Sequence, residues 1–253
     1  MIKQKRYERI MDIINEHHAV SIEEFCSRLD VSKATIRRDL IYLDEQKLIK
    51  RTHGGAVSLV KPAIEDVPIS LRHRMYKTEK ERIAKAALEL IEDGMTLYIG
   101  TGSTMRELAA KLSAFSMLTV LTNDIGVAYE VSQNTGNGLI VSGGQLTRST
   151  ATLSGCFAEN TLRDLAVDVA FMSCDAVTPG GYMDLNVDEV AIKRMMIRNA
   201  RRRIMLCDQS KFVGEAFMRI CPLSDIELTI TNDELQPEKE KELRDRGITI
   251  MSV

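Results

Sequence analysis

Cysteine is scarce in this 253-residue chain, and the five that occur, Cys26, Cys156, Cys174, Cys207 and Cys221, form no CxxC pair. An odd number of thiols, most of them in apolar runs, argues against a disulfide framework and against a zinc site. It predicts buried, reduced thiols in a cytoplasmic protein. No run approaches the roughly 18 apolar residues of a membrane span, and the N-terminus has charge but no continuous apolar segment of the signal-peptide kind. No one sign of charge prevails: 34 Lys and Arg face 36 Asp and Glu, a net of −2, so the whole chain does not advertise a nucleic-acid partner. Proline is also sparse, yet two of the five, Pro62 and Pro68, fall within residues 59–77, a stretch with no helical period before residue 70. That stretch reads as a connector whose Arg72, His73 and Arg74 contact DNA, the second domain or nothing, with solvent exposure as the first reading. No cofactor and no metal ligand set is expected.

What is present is an ordinary globular composition, 44% hydrophobic and 28% charged, long enough for one or two domains. Charge is unevenly spread. Residues 1–60 carry eleven Lys and Arg against nine Asp and Glu, a net of +2, which leaves −4 for the remainder. A basic head on an acidic body fits a local contact with DNA.

The head, residues 1–58, has three amphipathic segments. Tyr7, Ile10, Met11 and Ile14 form the apolar stripe of a first helix over Lys5–His17. Ser21 and Glu24 make a capping box before a second helix carrying Ile22, Phe25, Cys26 and Leu29. Ser32 then caps a third, in which Ile36, Leu40 and Leu43 share one face while Lys33, Thr35, Arg37 and Arg38 share the other. A helix set into a major groove needs this split between an anchored half and a basic, hydroxylic half. The alternative is an amphipathic surface helix with a solvated basic face. Two short strands around Gly54-Gly55 follow, with Lys50, Arg51 and His53 near the turn, which completes the order of a winged helix-turn-helix.

The body, residues 78–253, alternates short apolar strands with helical segments. That order implies α/β architecture with a mostly parallel sheet covered on both faces, and ligands of such sheets bind at the strands' C-terminal ends. Gly100-Thr101-Gly102-Ser103-Thr104 joins the first strand to a helix, so free N–H groups, the helix dipole and three hydroxyls suit a phosphate. No GK[ST] follows, and a lone GxG is no dinucleotide fingerprint. A glycine-rich turn with ordinary capping is the other reading. Asn123, Gly143-Gly144, and Asp208 with Lys211 follow further strands. Glu189 and Lys193 stand at i and i+4 of a helix over Val187–Asn199, where they serve sugar hydroxyls and phosphate or form a surface ion pair.

The run Val31-Ser32 through Thr35-Ile36-Arg37-Arg38-Asp39-Leu40 and the wing Arg51-Thr52-His53-Gly54-Gly55-Ala56 resemble the DeoR family of bacterial transcription regulators. The body resembles that family's effector domain at Asp93-Gly94, Gly102-Ser103-Thr104, Leu121-Thr122-Asn123, Gly143-Gly144, Lys193-Arg194 and Asp208-Gln209-Ser210-Lys211-Phe212. The resemblance implies a fold similar to ribose-5-phosphate isomerase and glucosamine-6-phosphate deaminase. It also implies a double-stranded DNA operator, a phosphorylated sugar or related effector, and a homodimer or homotetramer. Ser173-Cys174-Asp175-Ala176-Val177 departs from the glycine-rich stretch often found there in the family, so no particular sugar is carried over. An isomerase- or deaminase-like enzyme with a DNA-binding appendage is the alternative.

Overall fold

The apolar stripes of the head become its core. In the computed structural model, which describes residues 3–17, 19–46, 48–52, 54–58, 72–73, 75–133, 136–148, 150–214, 216–233 and 235–253, the chain divides into compact units of residues 1–67 and 68–253. In the first, α1 (Lys3–His17) buries Ile10, Met11, Ile13 and Ile14. Helix α2 (Ile22–Leu29) starts at Ser21, whose Oγ accepts the Glu24 N–H at 3.1 Å, and stops at Asp30 in the left-handed region. Ser32 Oγ accepts the Thr35 N–H at 3.3 Å and opens α3 (Lys33–Glu45), which buries Ile36, Leu40 and Leu43. Strands β1 (Ala19–Ser21), β2 (Ile49–Thr52) and β3 (Gly55–Ser58) form one antiparallel sheet with β3 in the middle. Gly55 is needed there because a Cβ would lie 2.0 Å from the Val20 carbonyl oxygen. His53 lies outside the described residues, as do the Lys50 side chain and Arg74.

The second unit is built on a seven-stranded, wholly parallel sheet. Its strands are β4 (Thr96–Ile99), β5 (Thr119–Thr122), β6 (Gly138–Val141), β9 (Val167–Met172), β12 (Ala200–Leu206), β14 (Leu228–Thr231) and β15 (Ile250–Ser252). Alternation along the central strands explains why both faces are covered. Leu97, Ile99, Val169 and Phe171 enter one core with α4 (Lys77–Leu88), α5 (Ser103–Ala109) and α6 (Ile125–Ser132). Tyr98, Ala170 and Met172 enter the other, with α7 (Cys156–Leu162), α8 (Val187–Asn199) and α9 (Pro237–Asp245).

The spatial order β15-β14-β12-β9-β4-β5-β6 sets the point at which the sheet changes direction. From β4 the chain builds outward through β5 to β6, then returns to β9 and builds the other way. The direction reverses between β4 and β9, and parallel sheets of this kind bind ligands beyond the C-terminal ends of the strands at such a point. Two small antiparallel sheets were not foreseen: β7 (Gln145–Thr147) with β8 (Thr152–Ser154), and β10 (Ala176–Thr178) with β11 (Gly181–Asp184) and β13 (Met218–Cys221). Strands of three or four residues carry too little alternation to be read against turns. Among the described residues no helix is long and apolar enough to cross a membrane.

Candidate functional site

The exposed face of α3 is set by what its other face holds. Asp39 points inward and takes the guanidinium of Arg6 on α1 through both carboxylate oxygens. Tyr7 stacks on Tyr42 with centroids 4.9 Å apart, and Lys3 lies over both rings. These contacts fix α1 against α3 and leave Ser32, Lys33, Arg37 and Arg38 exposed, with Thr35 half-buried. Lys33 Nζ donates to Glu23 at 2.5 Å, a contact it must give up to reach a phosphate. In the wing, the Arg51 side chain is exposed while its N–H donates to Asp44 at 3.0 Å.

In the second unit, Gly100 continues β4, its N–H donating to the Phe171 carbonyl of β9 at 2.9 Å. Gly102 takes φ 121°, and a Cβ there would stand 2.9 Å from Ser173 Oγ. Ser173 Oγ itself donates to the Thr101 carbonyl at 2.8 Å, so the loop is pinned across the switch point. Thr101, Ser103 and Thr104 are buried. The Gly102 N–H donates to Asp124 Oδ2 at 3.2 Å. Asp124 also caps α6 through the Gly126 and Val127 N–H groups and takes Arg106 of α5 at 3.2 Å. Burial raises its pKa despite Arg106 and those N–H groups.

The remaining candidates divide. Thr101 Oγ1 donates to Glu189 at 2.6 Å and Thr152 Oγ1 at 2.9 Å, while Lys193 Nζ lies 3.4 Å from Glu189 and donates to Asp184. Lys193 and Glu189 are both buried, so the surface ion pair is ruled out, and Lys193 is already engaged by two carboxylates. Burial alone would lower the Lys193 pKa, but Asp184, Glu189 and Asp175 raise it well above the ordinary lysine value. Asp175 Oδ2 accepts the Leu185 N–H at 3.1 Å, and Asp184 Oδ1 accepts the Asn186 N–H at 3.1 Å. Burial pushes Asp184 up to about 7 even against Lys193. Burial works the same way on Asp175, but Arg72, Lys211 and Lys193 together hold it well below the usual carboxylate range.

Asn123 serves the fold: its Oδ1 accepts from Tyr98 at 2.7 Å and its Nδ2 donates to the Leu153 carbonyl at 3.1 Å. Gly144 admits close passage of β8, where a Cβ would meet the Ser154 oxygen at 2.5 Å, and Gly143 is exposed. Asp208 is buried and caps the short turn Gln209–Phe212, from which Lys211 reaches to 3.8 Å from Asp175.

Arg72 and His73 correct the expectation that this part of the connector faces solvent. Arg72 lies 3.4 Å from Asp175, and His73 Nε2 lies 3.6 Å from Glu107. Sequence reasoning also passed over Asp124, Arg106, Asp184 and Thr152. An Asp between a strand and Ile125-Gly126 is a capping signal that would have found Asp124. Nothing local marks Asp184, nine residues before its lysine and on a different element.

Residues 76–233 match the DeoR C-terminal sensor domain, and residues 6–61 match the DeoR-like helix-turn-helix domain. The chain belongs to the DeoR family. Like other DeoR-family chains it is a DNA-binding transcriptional regulator with a sensor domain. It is 31% identical to the transcriptional regulator GolR of Listeria innocua, over 99% of this chain and 98% of that one. It is 32% identical to the glycerol-3-phosphate regulon repressor of Haemophilus influenzae, over 92% and 91%. It is also 32% identical to the transcriptional repressor GlcR of Bacillus subtilis, over 98% and 95%. Among solved structures, ribose 5-phosphate isomerase A of Methanocaldococcus jannaschii overlaps 54% of this DeoR-family chain and 55% of its own, at 20% identity and a TM-score of 0.40.

Proposed function

We propose that this chain is a cytoplasmic repressor of a carbohydrate-utilisation operon, whose operator affinity is changed by a phosphorylated sugar or a related metabolite. In this reading residues 1–58 bind DNA, 59–77 connect, and 78–253 sense the effector. The observation that carries the effector half is the Gly100–Thr104 loop, a helix N-terminus with buried hydroxyls at the point where the sheet reverses direction. The exposed Ser32, Lys33, Arg37, Arg38 and Arg51, with the half-buried Thr35, support the DNA half, and the names of the H. influenzae and B. subtilis relatives support repression. Lys50 and His53 belong to the same proposed contact.

Sensing rather than turnover is supported by the carboxylates. A general base needs a free carboxylate aimed at substrate, whereas Asp175, Asp184 and Glu189 are each committed to a cation or a hydroxyl of the chain. Two or four copies would set heads on repeated half-sites, since one winged head reads too few bases for useful specificity. Fluorescence anisotropy on DNA flanking the coding region, titrated with and without sugar phosphates, tests this directly. Salt-sensitive binding released by one phosphorylated compound is expected. Binding equal to that on random DNA and indifferent to Arg37→Ala would overturn the DNA half.

A further inference from the structure

Residues 72–80 begin the sensor unit on the side of the chain that leads to the DNA-binding head, and they are anchored at three points. Arg72 lies 3.4 Å from Asp175 Oδ1. His73 lies 3.6 Å from Glu107. Lys80, itself buried in α4, donates Nζ to the carbonyl oxygens of Arg72 and Met75, each at 2.5 Å. Burial pushes its pKa down to about 8.

Each long-range anchor ends on an element of the effector site. Glu107 is in α5, the helix that the Gly100–Thr104 loop opens. Asp175 follows β9 two residues after Ser173, whose hydroxyl pins Thr101. Asp175 has a second cation, Lys211, at 3.8 Å, and its Oδ2 accepts the N–H of Leu185, the residue after Asp184, at 3.1 Å. From there the contacts run through Lys193 and Glu189 back to Thr101. A run of polar contacts, passing from Asp175 to Asp184 by way of the Leu185 N–H, therefore joins the end of the connector to the Gly100–Thr104 loop. Its members come from six separate places in the sequence, and its only carboxylate facing two half-exposed cations is Asp175.

We propose that Asp175 stands in for the effector's phosphate. In the unliganded chain it holds Arg72 and Lys211. A phosphate dianion at the mouth of the loop carries more charge than one carboxylate and takes both cations from it, so the start of the sensor unit is re-anchored on ligand. This makes Arg72, a residue of the connector, an effector contact, and it deepens the effector reading above, on which it rests. A ligand changes DNA affinity only by as much as it discriminates between two arrangements, and the transfer of Arg72 supplies that difference.

The test uses the full-length chain, with inorganic phosphate, glycerol 3-phosphate, glucose 6-phosphate and ribose 5-phosphate as probes. Thermal shift reads binding, hydrogen exchange reads residues 72–80, and anisotropy reads operator affinity with and without the probe. In the wild type, a probe that binds changes exchange in residues 72–80 and shifts operator affinity by roughly 5–150-fold, the usual range of such couplings. Asp175→Asn, with the competitor gone, binds the probe several-fold more tightly, shows fast exchange in residues 72–80 without any probe, and has an operator response near unity. Asp175→Glu restores the response. Arg72→Gln, which removes the same ion pair from the exposed side, gives the same loss of response should Asp175→Asn fail to fold. Wild-type exchange and wild-type response in both variants would overturn the inference and leave the effector reading standing. If no probe shifts the melting of the wild type, the effector reading itself fails and the inference goes with it.

Discussion

The two units treat positive charge in opposite ways. The head leaves Lys33, Arg37, Arg38 and Arg51 at the surface and uses a buried Arg6–Asp39 pair to hold the helix that presents them. The sensor unit buries its central lysine, Lys193, between Asp184 and Glu189, and buries the hydroxyls of Thr101, Ser103 and Thr104 at the loop. In the proposed reading the difference follows from the two targets. A DNA backbone is a long line of phosphates that exposed cations track cheaply, trading against released counterions. A single small phosphate must be desolvated and held in place, and a helix N-terminus does that without ordering long side chains. Buried cations in such a site shape it from below.

The comparison breaks first at Lys193. Lys193→Met leaves two carboxylates buried without their cation, and losing one partner of a buried pair costs about 3–5 kcal/mol. Urea denaturation of the whole chain should show this loss, and an equal stability would mean the buried cluster is dispensable. Asp184→Asn acts on the same cluster through pH. The folded pKa of Asp184, about 7, lies above the ordinary carboxylate value of 3.8, so between those values the folded chain keeps a proton that the unfolded chain has released. Its contribution is complete below about pH 4 and is lost as pH rises through 7. Stability curves at several pH values should lose that slope, at most about 1.4 kcal/mol per pH unit for one proton, in Asp184→Asn.

In the head, Arg37→Ala is expected to weaken operator binding by about 1–3 kcal/mol if the guanidinium reads a base, with thermal stabilisation by sugar phosphate unchanged. Unaltered anisotropy would move the base contact elsewhere on α3. The cap Ser32→Ala is smaller, about 1 kcal/mol of stability, read by thermal melting. Salt sharpens the contrast further. Raising it should cut operator affinity steeply while sugar-phosphate affinity, resting on buried partners, falls little.

Much of the head was legible because its signals are local. Ser32, Ile36, Leu40 and Leu43 declare a capped amphipathic helix within twelve residues, and Gly54-Gly55 declares the turn of the wing. The strand-to-helix loop at Gly100–Thr104 was legible for the same reason. Illegible were the pairs made by distant parts of the chain. Arg72 with Asp175 spans 103 residues and Thr101 with Glu189 spans 88, and no periodicity connects them. Asn123, read as a ligand group, is spent on Tyr98 and Leu153 because strand order brings those two to it.

By itself, then, the sequence determined where helices and strands begin, which faces are apolar, and that one basic helix is presented by a small head. These follow from interactions within a few residues, where capping and periodicity act. Only the tertiary structure decided that Lys193 is buried between Asp184 and Glu189, that burial raises the Asp184 pKa, and that Arg72 is paired with Asp175. Each depends on burial and on charges carried to one place by the crossovers of a parallel sheet, and a charge's energy is set by its dielectric surroundings and neighbours in space.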